Sequence, residues 1–235
     1  MSEPTAVLLA HANGTPASTA FTSGSLGAND PFDRQIAYVG PHDIAAGIVQ
    51  SSGQFSVDAY PYSETIVVHA GQVTLQSEGH SLQLRPGDSA VIARGTSIRI
   101  EAQPGSLWAF CADTQPVEVG NVGLTALPPH TLLAPSTPPS EEFLLSPTPQ
   151  CRSNNLFVED ATNLRIGVWD STPYTRRARP HTMHELMHLI EGSIVLQLGD
   201  GTGLAVNTGD TVFVPKGAPC AWKSSVYVRK FYVCK

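Results

Sequence analysis

The stretch SETIVVHAGQVTLQSEGHSLQLRPGDSAVIARGTSIRIE, residues 63–101, is repeated later in the chain as HELMHLIEGSIVLQLGDGTGLAVNTGDTVFVPKGAPCAWKS, residues 184–224. The matches keep one order, with an offset that grows from 120 to 123 positions: Gly47 with Gly167, Glu64 with Glu185, Gly71 with Gly192, Gly87 with Gly209, Gly95 with Gly217, and Cys111 with Cys234. A slowly growing offset is typical of small loop insertions between two copies of one unit. The chain is therefore interpreted as a tandem repeat.

Within each copy, apolar and polar residues alternate with a period of two. Val73 and Leu75 in the first copy, and Ile194 and Leu196 in the second, are separated by polar or exposed-type neighbours. This alternation is typical of strands with one buried face. The segments SEGH and GDGTG predict the turns of hairpins. With no sustained helical period, the pattern predicts an all-β protein made of two antiparallel barrels of short strands.

The 235 residues are long enough for two domains of roughly 100 residues each. Residues 1–35, rich in small polar side chains, are predicted to form an irregular N-terminal arm, which either stays irregular or packs on the other barrel. Residues 36–126 and 155–235 are the predicted barrels. Residues 127–154 are the predicted linker, because seven prolines between positions 127 and 150 remove amide donors and fix φ.

Composition excludes several classes of function. The formal net charge is −6 and no Lys/Arg-rich run exists, which argues against a nucleic-acid partner. The N-terminal sequence has neither a signal-peptide pattern nor a membrane span. Four cysteines without CxxC spacing favour reduced thiols and a cytoplasmic location. Small barrels leave apolar faces and strand edges that need covering, so we expect a homodimer or a pairing of the two barrels.

The second copy resembles a known family. The pattern ExxxxxxG beginning at Glu185 and the pattern GDxxxxPxG beginning at Gly209 are similar to the two motifs of the RmlC-like cupin superfamily. The phrase GDTVFVPKGAPCAWKS and the ending VRKFYV are most similar to the subfamily that holds the ethanolamine-utilisation cupin and the (S)-ureidoglycine aminohydrolase domains. The resemblance implies a bicupin, two tandem double-stranded β-helix (jelly-roll) barrels.

The resemblance also implies where a site would lie. Metal-binding cupins take two histidines and a glutamate from the first motif, and a third histidine from the second. The matching positions here are Arg179, His181, Glu185 and Cys220. The first three share parity, so on a strand they face the barrel interior together. Trp222 lies two residues after Cys220 and is expected to share its inward face, which completes a predicted ligand pocket.

A metal in that pocket is not favoured. The guanidinium of Arg179 is always charged and repels a nearby dication. We expect Arg179 to form an ion pair with Glu185 where related proteins hold a metal. In the alternative, His181, Glu185 and Cys220 would hold a divalent ion such as manganese, iron, zinc or nickel. Arg176 and Arg177 are expected to be solvated charges.

The first copy is expected to be structural. Its matching positions hold Asp58, Tyr60, Glu64 and Ile98, and Ala93 replaces the proline of the second motif. An isoleucine side chain neither binds a metal nor carries a proton.

One literal motif is rejected. Residues 184–188 spell HExxH, the zinc-protease signature, which requires a helix so that both histidines share a face. Gly192 and the alternating segment SIVLQL after it indicate strands instead. His184 and His188 are therefore expected on the outer face or at an interface.

Three functions follow from these residues. The first is binding of a small polar or anionic metabolite in the second barrel, since Arg179 and His181 supply donors in an apolar pocket. The alternative is a metal-dependent enzyme resembling ureidoglycine aminohydrolase. The third is an assembly or regulatory interaction protein. The sequence leaves open whether any reaction is catalysed.

Overall fold

A computed structural model describes residues 4–41 and 43–235, which form 22 strands and two short 3-10 helices, Glu141–Phe143 and Asp160–Thr162. The strands of the first half are β1 (Val7–Ala10), β2 (Thr22–Gly24), β3 (Arg34–Gly40), β4 (Ile44–Gln50), β5 (Gly53–Val57), β6 (Ser63–Ala70), β7 (Val73–Ser77), β8 (His80–Leu84), β9 (Ser89–Ile92), β10 (Ile98–Ala102) and β11 (Leu107–Asp113). The strands of the second half are β12 (Leu124–Ala126), β13 (Ala134–Ser136), β14 (Cys151–Glu159), β15 (Leu164–Ser171), β16 (Thr175–Pro180), β17 (Glu185–Glu191), β18 (Ser193–Gln197), β19 (Gly203–Asn207), β20 (Thr211–Val214), β21 (Pro219–Lys223) and β22 (Val228–Cys234).

These strands form two barrels with one strand order, which confirms the predicted all-β fold. Barrel one has a seven-stranded sheet, β12-β9-β6-β11-β4-β3-β2, and a four-stranded sheet, β5-β10-β7-β8. Barrel two has a seven-stranded sheet, β1-β20-β17-β22-β15-β14-β13, and a four-stranded sheet, β16-β21-β18-β19. Each strand of one barrel has a counterpart at the same place in the other, as expected for two copies of one unit.

The barrels exchange their first strands. β1 begins the chain but pairs with β20 of barrel two, where Val7 lies opposite Phe213. β12 begins the second half but pairs with β9 of barrel one, where Leu124 lies opposite Ile92. The range predicted as an irregular arm thus contains β1, which packs on barrel two, and β2, which pairs with β3 of barrel one. The range predicted as a linker contributes β13, an edge strand that pairs with β14 and tolerates Pro135 at the edge of the sheet.

Three apolar clusters hold the molecule together. One fills barrel one and another fills barrel two. The third lies between the seven-stranded sheets and joins Leu9, Ile48 and Val67 to Phe213 and Phe231. The apolar outer faces predicted from the strand pattern are therefore covered by pairing of the two barrels within the chain, and a homodimer stays a prediction.

Strand register corrects one match between the copies. Glu64 lies opposite Ala112 on β11, and Glu185 lies opposite Cys234 on β22. Cys234 is therefore the counterpart of Ala112 and not of Cys111. The same register makes Lys230 the counterpart of Trp108.

The HExxH segment forms a strand, as expected, because β17 begins at Glu185. His188 is buried between the barrels and His184 Nδ1 accepts a hydrogen bond from the Lys216 amide at 3.0 Å. All four cysteines are free, buried thiols. Within the described residues, no helix has the length and apolar character that a membrane crossing requires.

Candidate functional site

The five residues that the sequence singled out lie around one cavity of about 130 Å³ inside barrel two. Arg179, the penultimate residue of β16, lies directly opposite Cys220 on β21, and Trp222 follows Cys220 on β21. His181 lies in the turn that leads into β17, and Glu185 is the first residue of β17. The remaining wall comes from Trp169, Tyr174, Met187 and Lys230, together with Pro139, Arg176, Leu196 and Val214.

Glu185 is held by two partners inside the cavity. Lys230 Nζ donates to Glu185 Oε1 at 2.7 Å, and His181 Nε2 lies 2.9 Å from Glu185 Oε2. The cation that pairs with Glu185 is thus Lys230, which corrects the expected pair with Arg179. Burial alone would raise the pKa of Glu185, but Lys230 and His181 outweigh burial and hold that pKa well below its usual range.

Lys230 is the site residue that sequence reasoning missed. Its side chain is only 7% exposed, with Nζ 4.8 Å from the ring centroid of Trp169 and 5.3 Å from that of Trp222. Trp222 stacks on Tyr174 with ring centroids 5.5 Å apart. Such an aromatic cage favours a cation. Strand parity in the sequence could have indicated that Lys230 faces the barrel interior. Lys230 lies two residues after the buried Val228 and directly before the buried ending FYVC.

Two arginines enter the site, where only one was expected. Arg176 is buried and donates from Nη1 to the Cys220 carbonyl at 2.8 Å, which corrects its prediction as a solvated charge. The register of β16 against β21 shifts between Arg176 and Arg179, and this bulge places both side chains on the cavity wall despite their opposite parity. Arg177 is exposed, as expected.

The site contains buried nitrogens that the protein does not use for hydrogen bonds. Arg179 Nε and His181 Nδ1 are buried, and neither has a hydrogen-bond partner among residues 4–41 and 43–235. The guanidinium of Arg179 lies 5.3 Å from the ring centroid of Phe143. Arg176, Arg179 and Lys230 face the single carboxylate of Glu185, so the cavity wall carries a positive surplus before His181 is considered. Buried unpaired polar atoms are costly, and a ligand that accepts hydrogen bonds relieves that cost.

The donor set does not fit a metal ion. Both oxygens of Glu185 are already engaged by Lys230 and His181. Burial raises the pKa of the Cys220 thiol, whereas a metal takes the thiolate. Across residues 4–41 and 43–235, no group of three or more His, Cys, Asp or Glu side chains is arranged to hold a metal. The ammonium of Lys230 lies where a cation would contact Glu185.

Barrel one contains the same glutamate with an internal partner. Arg34 is 0% exposed and donates to both oxygens of Glu64 at 2.9 Å, to both oxygens of Asp30, and lies 4.4 Å from the ring centroid of Phe110. Tyr60 Oη donates to Glu64 at 2.9 Å. Every nitrogen of this guanidinium therefore has a protein partner, and the interior of barrel one is occupied by its own arginine.

The other predicted positions of barrel one contribute no donors to that cluster. Ile98 is buried in the apolar cluster of barrel one, Ala93 is also buried, and Asp58 is exposed on the outer surface. Asp58 instead lines a surface concavity of about 450 Å³ over the four-stranded sheet. A second surface concavity, of about 510 Å³, runs past Arg177 and Val195 over the corresponding sheet of barrel two.

A second cavity opens on the other side of Glu185. It has a volume of about 230 Å³ and shares Trp169, Glu185 and Lys230 with the first cavity. Register makes Ser153 on β14 the counterpart of Arg34 on β3, because Gly167 pairs with Asn155 as Gly47 pairs with Ile36. The space that Arg34 takes in barrel one is therefore left open by a small side chain in barrel two.

Comparison with family models finds the EutQ-like cupin domain twice in this chain, at residues 44–107 and 158–232. Among curated proteins, none matches the sequence.

Solved structures share the whole architecture. A protein of unknown function from Pseudomonas syringae pv. tomato str. DC3000 is 57% identical, with a TM-score of 0.97, over 99% of this chain and 100% of that one. A cupin 2 conserved barrel domain protein from Leptotrichia buccalis is 13% identical, with a TM-score of 0.59, over 91% of each chain. A variant of salicylate 1,2-dioxygenase from Pseudoaminobacter salicylatoxidans is 15% identical, with a TM-score of 0.51, over 89% of this chain and 74% of that one. The last two likenesses concern the fold alone.

Proposed function

Since the chain belongs to the EutQ-like cupin domain family, we propose that barrel two binds a small anionic metabolite in the cavity beside Arg179. The observation that carries this proposal is the pair of buried, unused nitrogens, Arg179 Nε and His181 Nδ1, in a cavity with surplus positive charge. A carboxylate accepts from a guanidinium in charge-assisted hydrogen bonds, which are about twice as strong as neutral ones.

Barrel one serves as an internal comparison for this proposal. Its arginine, Arg34, donates hydrogen bonds from all three nitrogens to Glu64, Asp30 and Tyr60, so no nitrogen is left without a protein partner for a ligand to bind. In barrel two the corresponding glutamate, Glu185, is neutralised by Lys230, so that Arg179 stays available. The contrast supports a binding role for the second barrel and a structural role for the first.

The cavity limits the size of the ligand. A volume of about 130 Å³ has room for roughly four water molecules at about 30 Å³ each. A short mono- or dicarboxylate of a few heavy atoms matches that volume. The aromatic walls of Trp222 and Tyr174 favour a ligand with an apolar edge opposite its carboxylate.

The test is binding of short carboxylates, such as lactate, pyruvate and malonate, measured by calorimetry on Arg179→Ala. Losing a charge-assisted hydrogen bond costs about 1.5–3 kcal/mol, so we expect affinity to fall between roughly tenfold and more than a hundredfold. Arg177→Ala is the matched control, because it removes the same charge from an exposed position on the same strand. Equal affinities of the wild type and both variants would contradict the proposal.

The metal-dependent alternative makes a different prediction. If elemental analysis of the purified protein finds about one iron, manganese, zinc or nickel per chain, and His181→Ala removes it, a metal enzyme replaces the binding protein as the function. The engaged oxygens of Glu185 support the metal-free reading. A homodimer and a cytoplasmic location complete the proposal, and light scattering of the purified protein tests the former.

A further inference from the structure

Lys230 is an amine at the meeting point of two cavities. Its side chain lies between Trp169 and Trp222, with Nζ 2.7 Å from Glu185 Oε1 and 3.0 Å from Met187 Sδ. It lines the cavity of about 130 Å³ and also the cavity of about 230 Å³. A small ligand held by Arg179 therefore lies against the same wall as this amine.

The fold does not require a lysine at this position. In barrel one the counterpart of Lys230 is Trp108, which is buried, and Glu64 is neutralised by Arg34 instead. An arginine is the more durable counter-ion, because its guanidinium stays protonated at all relevant pH values. A lysine differs in one chemical respect, since its nitrogen can lose a proton and attack a carbonyl carbon. Barrel two thus uses the reactive cation where barrel one uses the inert one.

Neighbouring groups suit such a reaction. Arg176 and Arg179 offer charge for a carboxylate, and the aromatic rings of Trp169 and Trp222 leave Nζ a largely apolar surrounding. Glu185 accepts a hydrogen bond from Nζ and stays ionised, because Lys230 and His181 outweigh burial and hold its pKa well below the usual range. A carboxylate at this distance stabilises a cation on Nζ, whether that cation is an ammonium or an iminium.

We propose that Lys230 forms an imine with a small 2-oxo acid whose carboxylate is held by Arg179. The inference rests on the proposed function and names its ligand class. In the balanced step, Nζ gives up one proton to solvent water, and the neutral amine attacks the carbonyl carbon of the ligand. The carbon–oxygen double bond is replaced by a carbon–nitrogen double bond, and the oxygen leaves as water with one hydrogen from Nζ and one proton returned by the solvent. The protonated imine keeps the positive charge that the ammonium carried, so the pairing with Glu185 persists.

The chain is well suited to a trapping experiment, because it contains only four lysines, Lys216, Lys223, Lys230 and Lys235. The purified full chain is incubated with pyruvate and sodium cyanoborohydride, and intact mass and chymotryptic peptides are recorded. We expect one adduct per chain on Lys230, with a mass gain equal to pyruvic acid less one oxygen atom. Lys216 and Lys223 are exposed and serve as internal controls for non-specific reductive alkylation.

Lactate separates this inference from the proposed function, because it has the same carboxylate and carbon skeleton without the carbonyl group. Calorimetry of both acids is run beside the trapping. If pyruvate and lactate bind but Lys230 gains no mass, the imine is refuted while anion binding stands. If neither acid binds and no adduct forms, both proposals are refuted for this ligand class.

The variant Lys230→Arg keeps a cation beside Glu185 and removes the nucleophile. We expect it to lose the adduct completely. Labelling confined to Lys216 and Lys223 in the wild type, or an unchanged adduct in Lys230→Arg, would overturn the inference. The wild-type peptide map decides the question even if the variant fails to fold.

Discussion

Glu185 and Lys230 are two buried charges that depend on each other. Their side chains are 13% and 7% exposed, and their closest atoms are 2.7 Å apart. Removing one partner of a buried pair leaves an uncompensated charge, which typically costs about 3–5 kcal/mol. We expect Glu185→Gln and Lys230→Met each to lower the free energy of unfolding by an amount of this order, measured by urea denaturation.

The double variant Glu185→Gln/Lys230→Met removes both charges at once. We expect it to be more stable than the sum of the two single losses predicts, with a coupling energy of about 0.5–3 kcal/mol. Strict additivity of the single losses would show that the pair is not coupled.

The contribution of Glu185 to stability also depends on pH. Because the folded-state pKa of Glu185 lies below its unfolded value, the stabilisation is present above about pH 4.3 and is lost as pH falls below it.

Individual residues show how much of the site could be predicted from the sequence. Motif spacing pointed to Arg179, His181, Glu185 and Cys220, which line one cavity, although the parity argument assumed one strand and His181 lies in the turn between β16 and β17. Arg176 was not predicted to line the site because the bulge between Arg176 and Arg179 changes the face of the sheet on which each side chain lies. Lys230 escaped because a buried lysine is uncommon and its partner, Glu185, is distant in sequence.

At the scale of elements, a glycine fixes how closely β14 approaches β15. A Cβ atom on Gly167 would overlap the backbone oxygen of Asn154, and a Cβ atom on Gly47 would overlap that of Gln35 in barrel one. The repeated glycine in the sequence therefore marks a close strand contact that both barrels share. Neither glycine has a left-handed φ, so the constraint is space and not backbone conformation.

We expect Gly167→Ala to separate these two strands and to destabilise the protein. Overpacking of this kind costs about 1–3 kcal/mol, and more where backbone must move. Gly120→Ala is the matched control, since no atom lies within 4 Å of the Cβ position there. Urea denaturation of both variants measures the difference, and an unchanged midpoint for Gly167→Ala would contradict the close contact as the reason for the glycine.

The strand exchange shows what local patterns miss. Alternation of apolar residues predicted the strands within each repeat because that pattern is set by one buried face. It did not assign β1 to barrel two, because the partner of Val7 is Phe213 on β20, on the far side of the sequence. The partner of a short edge strand is set by tertiary packing, and the four residues of β1 carry too little pattern to identify it.

At the scale of the whole molecule, the two barrels meet through a buried polar cluster as well as an apolar one. His69 Nε2 on β6 and His188 Nδ1 on β17 both lie within hydrogen-bond distance of Thr211 Oγ1, at 2.7 Å and 2.9 Å. The two rings are 5.5 Å apart, and His69 Nδ1 lies 3.1 Å from the His11 carbonyl of the exchanged arm. Burial, with His69 nearby, lowers the pKa of His188 to about 3, and burial lowers the pKa of His69.

These histidines make the junction sensitive to acid. A base whose pKa is lowered by folding takes up its proton in the unfolded state first, so stability falls as pH drops below the unfolded value of about 6.5. The loss approaches about 1.4 kcal/mol per pH unit for each such histidine. This loss of stability from the histidines is separable from the loss of the Glu185 contribution, which begins only below about pH 4.3.

We therefore expect the free energy of unfolding to decrease from pH 6.5 to pH 4.5, and His188→Gln to flatten that decrease. Glutamine does not titrate and keeps a group that can hydrogen-bond to Thr211, while His69 supplies the slope that remains. His80→Gln, at the exposed first residue of β8, is the control and should leave the wild-type slope unchanged. Urea denaturation at intervals of half a pH unit gives the three slopes. Equal slopes for the wild type and His188→Gln would show that the junction between the barrels is not what makes the protein sensitive to acid.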